Sequence, residues 1–164
     1  MRLLTRLSAW RKGWESDARN SRFEVPTPFA KLGLMQESRG LEFQSCSTVY
    51  EFSHVSAAAT LMFYDTTLIY VLRNLTPLPS QQAKGQYSAA ERSAALEICR
   101  CIPYYSLQQS RSNSEHSPLV HWAVTSAWTT LSGDESAEGR CMKDLLNTKG
   151  REVAVKGVWA GSER

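Results

Sequence analysis

The stretch from Val55 to Leu75, VSAAATLMFYDTTLIYVLRNL, is apolar on nearly every side and is interrupted near its middle by Asp65, Thr66 and Thr67. A helix of this length that is hydrophobic all round has two physical outcomes: a bilayer span or the interior helix of a bundle. A carboxylate at the centre of a span would cost about 3 kcal/mol. The polar triplet therefore points to a buried central helix, started by Ser53 as its N-cap. Asp65 then needs a hydrogen-bond partner or an exposed edge. The alternative is a small membrane-associated protein anchored by residues 55–75.

Other segments supply the helices that would pack around it. Leu3, Leu7, Trp10 and Trp14 recur at helical spacing and predict an amphipathic helix ending near Asn20. Pro26, Pro28, Gly33 and Gly40 predict an irregular segment over about 23–47, with a short helix at Phe29–Gln36 at most. Pro77, Pro79 and Gly85 predict a loop over about 76–88. A helix follows from Ala89 to Gln108, with Ala95, Ile98, Ile102 and Tyr105 as its inward stripe and Pro103 expected to kink or shorten it. Ser117-Pro118 marks a helix start. Val120, Val124, Ala127 and Leu131 form the apolar side of that helix, and Gly133 stops it. A last helix, capped by Asp134, carries Ala137, Cys141, Leu145 and Thr148 to Gly150. Val153 and Val155 alternate like a strand in the tail at about 151–164. The expectation is one all-α domain over 1–164, an irregular array of about five to six helices with a buried central helix.

Charge and cysteine usage bound the function classes. The net charge of +3 over 164 residues is too small to imply nucleic-acid binding. It is unevenly placed: Arg2, Arg6, Arg11, Lys12, Arg19 and Arg22 stand against Glu15 and Asp17 in residues 1–22. A basic first helix can meet a phosphate or an acidic partner, or can be the solvated face of an ordinary amphipathic helix. The same residues break any secretory leader. An acid-free start up to Glu15 also resembles a mitochondrial presequence, but the pattern runs on through Trp14 as a normal helix. An intracellular protein with free thiols is expected, so the sequon at Asn74-Leu75-Thr76 has no glycosylation meaning.

Tests for chemistry return little. Cys99 and Cys101 point about 200° apart on a helix and cannot share a metal or bond each other. Cys99 reads as a core residue and Cys101 as partly exposed. His116 and His121 are five apart, which does not stack ligands on one helix face, and no spacing supports zinc. There is no nucleophile elbow, dinucleotide fingerprint or phosphate loop. Trp122 and Trp128 are six apart and cannot both face one core, so one of them marks a candidate contact surface. No catalytic residue, cofactor or metal is expected.

Four segments in order, LTRLSAWRKGWESD, EFSHVSAAATLMFYDTTLIYVL, AALEICRCIPYY and CMKDLLNTKGREVAVKGVW, resemble the C-terminal regulatory region of fungal zinc binuclear-cluster transcription factors. The matching positions are the L-x-x-L-x-x-W helix, Tyr64 in the aromatic-rich helix, then Ala95, Ile98, Cys99, Arg100, Ile102 and Tyr104, and the closing Lys149-Gly150. Those factors read DNA through six closely spaced cysteines. The cysteine intervals here are 53, 2 and 40, so the resemblance implies the regulatory part alone, a fragment or a truncated relative. It implies a non-enzymatic module in the nucleus, or in the cytoplasm if truncated, with a protein partner and a possible small effector. Neither membrane association nor direct sequence-specific DNA binding is expected. Tyr64, Asp65, Cys99 and Tyr105 are the candidate pocket, against the plainer reading of all four as core.

Overall fold

A computed structural model describes residues 2–26, 48–75, 81–112 and 118–147. Five helices and a two-stranded ribbon make up these residues: α1 (Arg2–Ser16), a 3-10 turn (Ala18–Asn20), β1 (Arg22–Pro26), β2 (Thr48–Phe52), α2 (Val55–Leu75), α3 (Gln81–Ser112), α4 (Pro118–Leu131) and α5 (Ala137–Leu145). The protein is mostly all-α, as the apolar periodicity requires, with the ribbon as a small addition.

The α2–α3 pair is the largest interface, and α4 packs against both. Nine residues of α2 are buried, Leu61, Met62, Ile69 and Leu72 among them. By length and composition α2 could cross a membrane, yet half of that stretch is covered by the rest of the fold. Its polar triplet is satisfied locally in part. Thr66 Oγ1 donates to the Met62 carbonyl at 2.7 Å and Thr67 Oγ1 to that of Phe63 at 2.9 Å, the back-bonding that lets a hydroxyl lie inside a helix bundle. Ser53 does not cap α2: its hydroxyl lies 3.5 Å from the Ser21 carbonyl and donates there.

α3 departs from expectation at both ends. It begins at Gln81, so residues 81–88 of the expected loop are helical despite Gly85, whose cost of about 1 kcal/mol the good helix formers around it tolerate. It also runs through Pro103 without a break. At 32 residues it is about 48 Å long and is covered on several sides, by α2, α4, β2 and α5. This is why Cys101 is fully buried like Cys99, not partly exposed. Both remain free thiols. Cys141, on the inner face of α5, is disulfide-bonded with its partner outside the described residues. The expectation of free thiols fails there because sequence intervals do not report distances in the fold.

Residues 23–26 of the expected irregular segment belong instead to a strand, β1. β1 and β2 run antiparallel, with Arg22 opposite Phe52, Glu24 opposite Tyr50 and Pro26 opposite Thr48. A ribbon this short is marginal alone. It holds because Tyr50 and Phe52 are buried as β2 lies along α3. The face that α1 turns inward also differs from the expected stripe. Leu4, Leu7, Arg11 and Trp14 face the body, while Leu3 and Trp10 are about half exposed. Val120, Val124, Ala127 and Leu131 of α4 are buried as expected, and Trp122 and Trp128 both stay partly exposed.

The last helix is capped by Ser136, whose Oγ accepts from the Gly139 N–H at 3.0 Å. Asp134 instead accepts from Arg92 Nε at 2.7 Å and from the Ser136 N–H at 2.9 Å. A Cβ on Gly139, in the first turn of α5, would overlap the Asp134 carboxyl, so the close approach of that carboxyl to the helix favours glycine there. The expected helix at Phe29–Gln36, Thr148, Gly150 and the strand-like tail lie outside the described residues.

Candidate functional site

The site forms where α1, β1, α2 and α3 meet, and it is built around one arginine. Arg11 occupies an inward position of α1 between Leu7 and Trp14. Its guanidinium donates to Glu97 Oε2 at 2.7 Å and to Glu15 Oε1 at 2.8 Å. It lies 3.6 Å from Asp65 Oδ1, an ion pair without a hydrogen bond. The same guanidinium sits over the rings of Trp14 (5.7 Å) and Tyr64 (5.3 Å). Trp10 stacks on Tyr64 with centroids 5.1 Å apart and covers the outer side of the arrangement.

A second arginine comes from the ribbon. Arg22 reaches Glu97 Oε2 and Glu15 Oε1, each at 3.3 Å, and lies over the Tyr50 ring at 4.8 Å. The Tyr50 hydroxyl is shared between Glu97 and Arg100, both at 3.5 Å. Arg100 then bonds Glu138 of α5 at 2.8 Å. Charged groups therefore run along α3 and tie α1, β1, β2, α2 and α5 to it. Between them opens a cavity of about 330 Å³, lined by Arg11, Arg22, Tyr64, Asp65, Ser93 and Glu97 among others.

Asp65 is the unbalanced member. It is 2% exposed, and its Oδ2 has no hydrogen-bond partner. Burial, reinforced by the charge of Glu97 and only partly opposed by Arg11, raises its pKa well above the ordinary aspartate value. Burial alone works against the Arg11 charge, but its hydrogen bonds to Glu97 and Glu15 more than offset this, and it stays protonated. Burial and the Asp65 charge likewise push the Tyr64 hydroxyl upward.

Of the four residues expected in a pocket, Tyr64 and Asp65 line this cavity. Cys99 and Tyr105 do not; both lie in the packed core, Tyr105 accepting from Gln109 Nε2 at 2.9 Å. Burial drives the Cys99 thiol far above its usual pKa, which suits a packing role and not a nucleophile. Sequence reasoning missed Arg11, Arg22, Tyr50 and Glu97. Arg11 left one signal: it stands at 4–7–11–14 spacing, where an amphipathic helix would place an apolar residue. No group of three or more His, Cys, Asp and Glu side chains among the described residues is arranged to hold a metal ion. The chain matches no family model, no curated protein and no solved structure.

Proposed function

We propose that this chain is a non-catalytic helical regulatory module, akin to the regulatory region of fungal zinc-cluster transcription factors without their DNA reader. In this reading a small polar effector enters the cavity at Asp65 and alters how α1 sits on the body. The observation that carries it is the buried Asp65 oxygen, which has unmet hydrogen-bonding capacity and lines an open cavity. Unpartnered buried polar atoms are uncommon, and each costs roughly 1–3 kcal/mol.

The placement of α1 also supports the reading. Trp14 is the single buried residue of α1; Leu4 and Leu7 are half-buried, and the Arg11 cluster and the Trp10–Tyr64 stack add to its attachment. A helix held in part by charged side chains is an element whose position a competing polar ligand can bias. The module acts through a protein partner and does not read duplex DNA itself. The alternative of an anchor through residues 55–75 would require Leu61, Met62, Ile69 and Leu72 to leave the core and Asp65 to enter lipid.

The test is a reporter assay with the chain fused to a heterologous DNA-binding module. The expected result is a reporter output set by the fused chain and altered by Arg11→Ala, with the helical circular dichroism spectrum retained. A reporter indifferent both to the chain and to the substitution overturns the reading.

A further inference from the structure

A second recess lies on another face, between the start of α1, the end of α2 and α4. Its volume is about 400 Å³ and its walls are largely apolar, formed by Leu3, Leu4, Tyr70, Val71, Leu75 and Trp122. The Trp122 indole N–H donates to the Tyr70 hydroxyl at 2.8 Å, and the two rings are 4.9 Å apart. Phe63 adjoins Trp122 at 6.2 Å. These three aromatics are each about 40% exposed. Rigid, partly exposed aromatic groups beside a recess have the character of binding anchors.

Cations predominate on the helices that form the recess. Residues 2–14 of α1 carry Arg2, Arg6, Arg11 and Lys12 and no acid, and α4 contains neither Asp nor Glu. The only carboxylate of α2 is the buried Asp65. Arg73, over the Tyr70 ring at 5.9 Å, is held by Glu91 of α3 at 3.0 Å. Arg2 and Arg6 are exposed and flank Leu3 on α1. The only exposed acid on these three helices is Glu15, at the far end of α1 and paired with Arg11 and Arg22, so an apolar recess bordered by Arg2 and Arg6 complements an apolar stripe bordered by carboxylates.

We infer that this recess docks an acidic amphipathic helix of a partner protein. Apolar side chains one helical turn apart enter between Leu3, Leu75 and Trp122, while its carboxylates meet Arg2 and Arg6. A second copy of the chain would bring Arg2 and Arg6 against like charge. A lipid surface would meet a recess where it needs a protruding apolar face. The inference rests on the interaction-module reading and names its partner, but it uses a different face from the Asp65 cavity.

The test is fluorescence polarisation of a labelled synthetic helical peptide, leucine on one stripe and glutamate elsewhere, titrated with the full chain. Saturable binding is expected. It should weaken about tenfold with Trp122→Ala and severalfold with Arg6→Glu, and fall as salt is raised. The same peptide with lysine for glutamate should not bind. Arg6→Glu and Leu3→Asp act at exposed positions and test the surface even if Trp122→Ala perturbs folding. Absence of saturable binding overturns the inference, as does equal binding of the lysine peptide. So does a peptide-silent chain that sediments with anionic phosphatidylserine vesicles, or one that dimerises through Trp122. A silent titration with the reporter effect intact removes the recess alone and leaves the regulatory reading standing.

Discussion

Replacing Asp65 with asparagine should stabilise this protein at neutral pH and leave it unchanged in acid. In the native fold, Asp65 Oδ1 is 3.6 Å from Arg11, beyond a hydrogen bond, and Oδ2 has no partner. Arg11 keeps Glu97 at 2.7 Å and Glu15 at 2.8 Å whether or not residue 65 is charged. Asp65→Asn therefore loses a weak attraction to Arg11 and Arg22 and removes both the desolvation of a charge and the repulsion from Glu97 and Glu15. The pKa of Asp65 is raised on folding, so the native state binds more protons than the unfolded chain once the pH passes the ordinary aspartate value. The stability that Asp65 contributes is complete below about pH 3.9 and is lost as pH rises through the raised native value. Within that window its slope reaches at most about −1.4 kcal/mol per pH unit. The variant lacks this slope and should exceed the parent at neutral pH, by about 1.4 kcal/mol for each unit by which folding raises the Asp65 pKa. Urea unfolding followed by circular dichroism, at about pH 4 and about pH 7.5, measures the gap. The other carboxylates titrate in both proteins, so the difference isolates residue 65. A variant weaker than its parent at the higher pH, with the gap closing in acid, would refute the reasoning. It would mean that the ionised Asp65–Arg11 pair stabilises the fold.

Three further outcomes follow from the geometry. Pro103→Ala should stabilise α3 by about 1–3 kcal/mol, because the ring cannot donate to the Cys99 carbonyl; thermal unfolding should show a rise of several degrees, and a fall would mean that the ring is needed for packing. Gly139→Ala should destabilise by about 1–3 kcal/mol, since its Cβ displaces an Asp134 carboxyl that Arg92 and the Ser136 N–H hold in place; an unchanged urea midpoint would contradict this. Cys99 and Cys101 should resist a thiol-specific chromogenic reagent in the native protein and react once it is denatured. Rapid native-state labelling of either would show that α3 is less covered than described.

The helices were legible where one face carries the pattern. Val120, Val124, Ala127 and Leu131 fall on one side of α4 and are buried there, and the uniform apolarity of α2 fits its central place. Reasoning by periodicity failed on α3 because several elements cover it, so Cys101 is buried on the side opposite Cys99. It failed on the ribbon because β1 is mostly exposed and pairs only through the support of β2 on α3. The site was half legible. The need of Asp65 for a partner could be read from its apolar surroundings, and it led to Tyr64 and Asp65. The partners lie on α1, β1 and α3, at Arg11, Arg22 and Glu97. Nothing local to residues 55–75 names them; only tertiary packing brings Arg11 to Asp65, 54 positions away along the chain.

The pairing of Pro26 with Thr48 at one end of the ribbon and of Arg22 with Phe52 at the other ties the strand after α1 to the strand before α2 in one register. Side chains alternate between the two faces of a strand, so a slip of one residue would turn Tyr50 and Phe52 away from α3 and carry Glu51 inward. The burial of those two rings therefore decides which residues of the ribbon meet, and with them where α1 enters and α2 departs.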